Sequence, residues 1–222
     1  MVQNIHPLTF KYLKNLKANN HKEWFDSNRD QYELVRKEFI DFVQSVLDEL
    51  AKIDNSLEGQ KAKDSVFRIN RDVRFSKDKT PYKTNFSAVI SSGGRKFTGA
   101  GFYISIEPGN KSYLGGGIWQ PETKMLSAIR QEIDYNFVGF KKIILKKTFA
   151  ETFPELYKDS LKTMPRGYEI ENPAAEFLKL KSFVYGSSVK DSVVNSDKYF
   201  KQIVSSYKTI LPFFNFLKHA VS

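Results

Sequence analysis

The chain has 222 residues, 41% of them hydrophobic, and carries 35 Lys and Arg against 25 Asp and Glu, a formal net charge of +10. The absence of cysteine excludes disulfides, thiolate nucleophiles and cysteine-ligated metals, and the absence of any apolar run near the roughly 18 residues that cross a bilayer excludes a membrane-spanning helix. The opening MVQNIHPLTF lacks a charged stretch followed by an apolar one, so the expectation is a cytoplasmic protein, a single domain over residues 1–222, with no membrane partner.

The first sixty residues read as helical. Thr9 is a suitable cap for a short helix that places Phe10, Leu13 and Leu16 on one face, and Asn19-Asn20 stops it. A restart carries Trp24 and Phe25. A long helix over 28–53 then repeats Val35, Phe39, Phe42, Val43, Val46, Leu47, Leu50 and Ile53 at three- and four-residue steps, a stripe that faces a core. From residue 66 the period changes. A strand is expected over 66–70, and NFSAVISSGG, GAGFYISIEPG and KSYLGGGIWQ are short β-rich runs punctuated by Gly, Pro and Asn, the pattern of an antiparallel meander. The helical period returns after Trp119. Pro121 suits the first position of a helix with Met125, Leu126, Ile129 and Ile133 on one stripe and Arg130 flanking it. Further helices are expected over 137–148 and 174–180, a strand in KSFVYG, and a last helix from about 196 that Pro212 kinks or splits. Helices on both sides of a block of strands give an α+β fold, an antiparallel sheet packed against long N- and C-terminal helices.

The positive charge is not spread evenly. Residues 1–60 carry 8 basic and 10 acidic groups, residues 61–96 carry 10 and 3, and residues 97–222 carry 17 and 12. The excess centres on VFRINRDVRFSKDKTPYKTN, residues 66–85. Guanidinium groups are permanently charged, planar and matched to phosphate or carboxylate forks, so Arg68, Arg71 and Arg74 at a spacing of three suit bidentate anion recognition. Lys79 and Lys83 are secondary contacts, Tyr82 or Phe75 a ring to stack on a ligand, and Arg130 and Arg166 further additions. Asp72 either orients an arginine or acts as a base, with Tyr82 as proton donor. The opposing reading is an internal ion-pair network, in which Asp72, Asp78 and acids of the long helix neutralise the arginines and the segment staples helices to sheet.

Other chemistry has little support. His6, His21 and His219 lie far apart without metal-ligand spacing, so no metal site is expected, and they read as surface or helix-end residues. No nucleophile elbow or phosphate-binding Gly-Lys-Ser/Thr loop is present. Gly115 to Gly117 stand before a helix N-terminus and could receive an anion there, or could mark a tight crossing within a strand.

The run Arg68-x-x-Arg71-Asp72-x-Arg74-Phe75, followed by Asp78-Lys79 and Tyr82, resembles the signature of a bacterial family known as domain of unknown function 2461. Trp24-Phe25, GGGIW, Ile129-Arg130 and the MPRGY run at Met164 to Tyr168 fall in the same order, so the resemblance extends over nearly the whole chain. It implies a mixed α and β structure and lends no activity or cofactor. The expected function is binding of a phosphate-containing ligand, an anionic small molecule of nucleotide-like kind or a nucleic-acid backbone. The alternatives are an enzyme acting on a phosphoester, and an interaction module in which the Arg/Asp cluster is structural.

Overall fold

The computed structural model describes residues 4–222 and shows an α+β protein. Helices α1 (Pro7–Ala18), α2 (Lys22–Ser27), α3 (Arg29–Ala51) and α4 (Ala62–Ser65) precede strands β1 (Phe86–Ile90), β2 (Gly101–Ile106) and β3 (Ser112–Ile118). Then come α5 (Thr123–Tyr135), α6 (Phe137–Ile144), α7 (Lys147–Thr152), β4 (Glu155–Leu156), α8 (Ala175–Leu178), β5 (Phe183–Val189), α9 (Asp191–Val194) and α10 (Lys198–Ala220). The five strands form one antiparallel sheet in the order β1-β2-β3-β5-β4, so the first three are a meander; at its far edge Glu155 pairs with Gly186 and Leu156 with Tyr185.

By its internal packing the chain divides into two compact units. The first comprises Met1–Arg95, Tyr103–Leu114 and Ser188–Ser205, and the second Lys96–Phe102, Gly115–Ser187 and Ser206–Ser222. In the first unit the α3 stripe from Val35 to Leu50 is buried as its spacing dictates. Phe39 stacks on Phe86 of β1 with 5.6 Å between ring centroids, and Phe42 lies parallel to Tyr199 at 5.9 Å. Each such ring taken out of water contributes about 1.5–3 kcal/mol. In the second unit Phe140, Phe213, Phe149 and Tyr185 form a cluster of tilted and edge-to-face rings, with neighbouring centroids 5.3 to 6.4 Å apart.

Several local expectations are corrected. Helix α1 starts two residues before Thr9, because Pro7 pre-sets the first helical turn and the His6 Nδ1 accepts the Leu8 N–H at 3.1 Å; Thr9 is buried in the helix instead. His21 caps α2 in the same way, accepting from Trp24 N–H at 3.4 Å, which puts two of the three histidines at helix starts. Helix α5 begins at Thr123, beyond Pro121. The single helix expected over 137–148 is two, because Lys146 adopts extended backbone, and the break turns Phe149 toward Tyr185, 5.3 Å away. Helix α10 runs unsplit through Pro212, where buried Ile210, Phe213, Phe214 and Leu217 hold both sides of the missing backbone hydrogen bond. The triple glycine lies inside β3. A Cβ on Gly117 would stand 1.8 Å from the Phe183 carbonyl oxygen and its φ is +142°, so the glycine marks a close strand crossing, not an anion site.

Candidate functional site

The basic stretch is a long loop held at its base by backbone bonds. Phe67 N–H donates to the Ser87 carbonyl at 2.9 Å, Lys83 N–H to Ile69 at 2.8 Å and Arg71 N–H to Pro81 at 2.9 Å. Only two isolated bridges form, Val66 with Ala88 and Asn70 with Tyr82, and the strand expected over 66–70 does not. The register explains why. Between the bridges one side advances four residues and the other six, so two extra residues interrupt the ladder as a bulge does.

Above that base, residues 72–80 are closed by their own side chains. Arg71 Nη1 donates to Asp78 Oδ2 at 2.6 Å, to the Thr80 carbonyl at 3.0 Å and to the Thr80 hydroxyl oxygen. Asp78 Oδ1 in turn accepts from Thr80 N–H and Oγ1, both at 2.9 Å, and these bonds together with Arg71 hold its carboxyl below the usual range. Arg74 makes a two-pronged pair with Asp72, Nε to Oδ1 at 3.0 Å and Nη2 to Oδ2 at 2.7 Å, and lowers the pKa of that carboxyl likewise. Lys79 Nζ donates to the Val73 carbonyl at 2.9 Å. Phe75, at the tip, is 97% exposed with the Arg74 guanidinium 5.9 Å from its ring centroid.

Two of the three arginines are therefore neutralised within the loop. Arg68 and Lys83 are not: among the described residues neither has a carboxylate within 4 Å. Arg68 is exposed. Lys83 is half-buried, its ammonium 5.1 Å from the centroid of the Phe67 ring, and burial, with the nearby Arg68 charge second, pushes its pKa down. Tyr82 points the other way. Its ring is buried against Phe25, and burial followed by Asp26 raises its pKa. Its backbone is gripped by Asn20, whose Oδ1 accepts Tyr82 N–H at 3.1 Å and whose Nδ2 donates to the Tyr82 carbonyl at 2.9 Å.

Arg130 and Arg166 belong to the second unit. Arg130 is buried, with Nη2 donating to the Leu180 carbonyl at 2.9 Å, Nε without a partner and its pKa lowered by burial. Arg166 is exposed on a turn closed by Tyr168 N–H to the Pro165 carbonyl, 3.3 Å, with Gly167 at φ +92°. Two residues that matter here carry no mark in the sequence reading: Asn20, which there only stops a helix, and Phe67, the platform under Lys83. For the first a signal exists, an Asn pair beyond a helix end with donors and acceptors to spare. Among the described residues no cluster of three metal-ligating side chains occurs, and no helix is long and apolar enough to cross a membrane.

A family model described as "Conserved hypothetical protein (DUF2461)" matches residues 8–216. No curated protein and no solved structure matches the chain.

Proposed function

The chain belongs to the DUF2461 family of conserved hypothetical proteins, and from the geometry of its basic loop we propose that it binds a phosphate-containing ligand, with Arg68 and Lys83 as the anion contacts and Phe75 as the stacking ring. The observation that carries this reading is that, among the described residues, neither Arg68 nor Lys83 has a carboxylate within 4 Å, the Arg68 charge reaching Asp72 only at longer range. Two cations within electrostatic reach of each other repel, and Lys83 also bears a desolvation penalty; an anion placed against both relieves the first and offsets the second. Arg71, Arg74, Asp72 and Asp78 are assigned to building the loop, and Lys79 to tying its crown to the Val73 carbonyl. A nucleotide-like molecule or a nucleic-acid strand supplies both the phosphate and a flat group for a ring such as Phe75.

Binding is favoured over phosphoester chemistry by the state of the proposed proton carriers. Asp72 is held as a carboxylate by Arg74, which makes it a poor base, and the buried Tyr82 faces Phe25 and α2. The test is thermal unfolding of the wild type and of the Arg68→Met/Lys83→Met double variant with inorganic pyrophosphate and with a single-stranded oligonucleotide. A ligand at 100 times its dissociation constant adds about 2.7 kcal/mol to stability. The gain is expected in the wild type and absent from the double variant; an equal gain in both removes these two residues from the site.

A further inference from the structure

Helix α6 has two faces, and its inner one is packed. Phe140 is buried with its ring centroid 5.0 Å from that of Phe177 and 5.2 Å from that of Phe216, and Ile144 is buried one turn further on. On the outer face Val138 is 69% exposed, and Leu145, the residue that closes the helix two turns later, is 65% exposed. Aliphatic side chains at helical spacing ordinarily form the stripe that is taken out of water. Here they line an open groove of about 420 Å³ together with Phe137, Lys141, Lys142 and Lys146, a volume within the range of clefts that take up apolar groups. The rim is cationic. Residues 135–150 hold four lysines and no acid. Among the described residues Lys141, Lys142 and Lys146 have no carboxylate within 4 Å, and Lys147 reaches Glu151 only at 4.0 Å, with both side chains exposed, a pairing that is worth little. The Lys141 ammonium lies 5.3 Å from the centroid of the Phe137 ring, which keeps its charge at the groove.

We propose that this groove docks an acidic amphipathic helix of another protein, with the partner's apolar side chains in the groove and its carboxylates on Lys141, Lys142 and Lys146. None of these residues belongs to the basic loop. Charge complementarity selects the occupant, because an apolar floor inside a ring of unpaired ammonium groups matches an apolar stripe flanked by carboxylates. A second copy packed face to face would set the same lysines against one another. A bilayer surface answers the charge, but two exposed aliphatic side chains on an eight-residue helix offer it little to bury, and a flat lipid face leaves a groove unfilled. A helix fills a groove with side chains at three- and four-residue steps, and the eight residues of α6, about 12 Å of rise, match two turns of such a partner. The contact is small for a protein interface, so the complex is weak and salt-sensitive.

The probe is a labelled, stapled helical peptide with leucine at three- and four-residue steps and glutamate elsewhere, and its control carries alanine in place of leucine. Fluorescence anisotropy is measured with the full-length wild type and with Val138→Ser/Leu145→Ser, Lys142→Gln/Lys146→Gln and Arg68→Met/Lys83→Met. The side chains replaced on α6 are exposed, and thermal unfolding checks that the variants keep their fold. The leucine peptide is expected to bind about tenfold more tightly than the alanine control. Val138→Ser/Leu145→Ser, which leaves the charge unchanged, should lose about that factor, the lysine pair several-fold, and the loop variant nothing. Equal affinity for the two peptides, or for the wild type and Val138→Ser/Leu145→Ser, reduces the contact to bulk charge and overturns the proposal. Binding lost in the loop variant and kept in both α6 variants places the peptide on the basic loop and overturns it as well. Vesicles of phosphatidylglycerol and phosphatidylcholine that sediment the wild type and not Val138→Ser/Leu145→Ser, while the two bind peptide alike, assign the face to lipid against the proposal. A wild type that is dimeric by light scattering, and monomeric with Val138→Ser/Leu145→Ser, covers the face with a second copy and overturns it too.

Discussion

The ring of Tyr82 lies flat on the ring of Phe25, 4.1 Å between centroids and 15° between planes, so the base of the basic loop is fastened to α2 by an aromatic stack. Both rings are buried, and the Asn20 side chain holds the main chain of Tyr82 on both its N–H and its carbonyl. Tyr82→Ala is expected to cost about 3–4 kcal/mol, the usual loss for a large ring removed from a core. Tyr82→Phe should cost less than about 1 kcal/mol. Asn20→Ala, which removes both clamp bonds, should cost about 1–3 kcal/mol. Urea unfolding of the three variants checks the order; a Tyr82→Ala protein as stable as Tyr82→Phe would show that the stack does not fasten the loop.

The crown of the loop should be acid-sensitive. Asp72 and Asp78 both have folded-state pKa values below the ordinary 3.8, through Arg74 for the first and through Thr80 and then Arg71 for the second. A depressed carboxylate stabilises the folded state fully above its unfolded pKa and loses that contribution as the pH falls through the folded one. The loop is therefore expected to tighten above about pH 4 and to loosen below it. Limited proteolysis with an acid-tolerant protease should show cleavage within 72–80 rising below that pH in the wild type. In Asp78→Asn, where Arg71 has lost its charge partner, trypsin should cut faster at neutral pH at Arg71, Arg74, Lys77 or Lys79. Equal cutting of the two proteins would mean that the Arg71–Asp78 pair does not order the crown.

How much of this was legible in the sequence depends on whether the deciding interaction is local. The stripe of α3 follows from side-chain period and the three meander strands from β-rich runs between Gly, Pro and Asn, and they stand close to where those signals put them, except that α3 ends at Ala51 and leaves Ile53, expected in its stripe, outside the helix and only half-buried. The strand expected over 66–70 fails for a reason the period cannot carry: the partner segment 82–88 has two residues too many, and only the pairing shows that. The arginines at a spacing of three look alike in one dimension. What separates them is the acid that each pairs with, Asp78 for Arg71 and Asp72 for Arg74, while among the described residues Arg68 has no carboxylate within 4 Å and its charge reaches Asp72 only at longer range. The histidine caps were within reach, since an accepting side chain immediately before a helical stripe is a local signal.

Gly117 and Gly59 both have positive φ and should respond differently to alanine. At Gly59, φ +72°, the space around a Cβ is open, so the cost is the left-handed backbone alone, about 1–2 kcal/mol. At Gly117 the Cβ meets the Phe183 carbonyl, main chain that cannot swing aside, and the pairing of β3 with β5 must open. Gly117→Ala is expected to cost about 3 kcal/mol or more. Thermal denaturation of the two variants compares them directly, and a Gly117→Ala protein no worse than Gly59→Ala would mean that the strands can part at little cost.

Phe75 offers the cleanest separation of binding from folding. A ring 97% exposed contributes little to a core, so Phe75→Ala should change stability by no more than about 0.5 kcal/mol. If a base stacks on it, the same substitution removes about 1–3 kcal/mol of binding to single-stranded DNA, a loss of roughly 5- to 150-fold in affinity. Arg68→Met should behave differently, weakening binding to all sequences and lowering the salt slope by about 0.7, since one phosphate is no longer neutralised. Fluorescence anisotropy with a labelled oligothymidine at several salt concentrations measures both effects. A salt slope lowered in Arg68→Met with unchanged affinity in Phe75→Ala would assign the site to phosphate without a base, and the exposed ring would then need another partner.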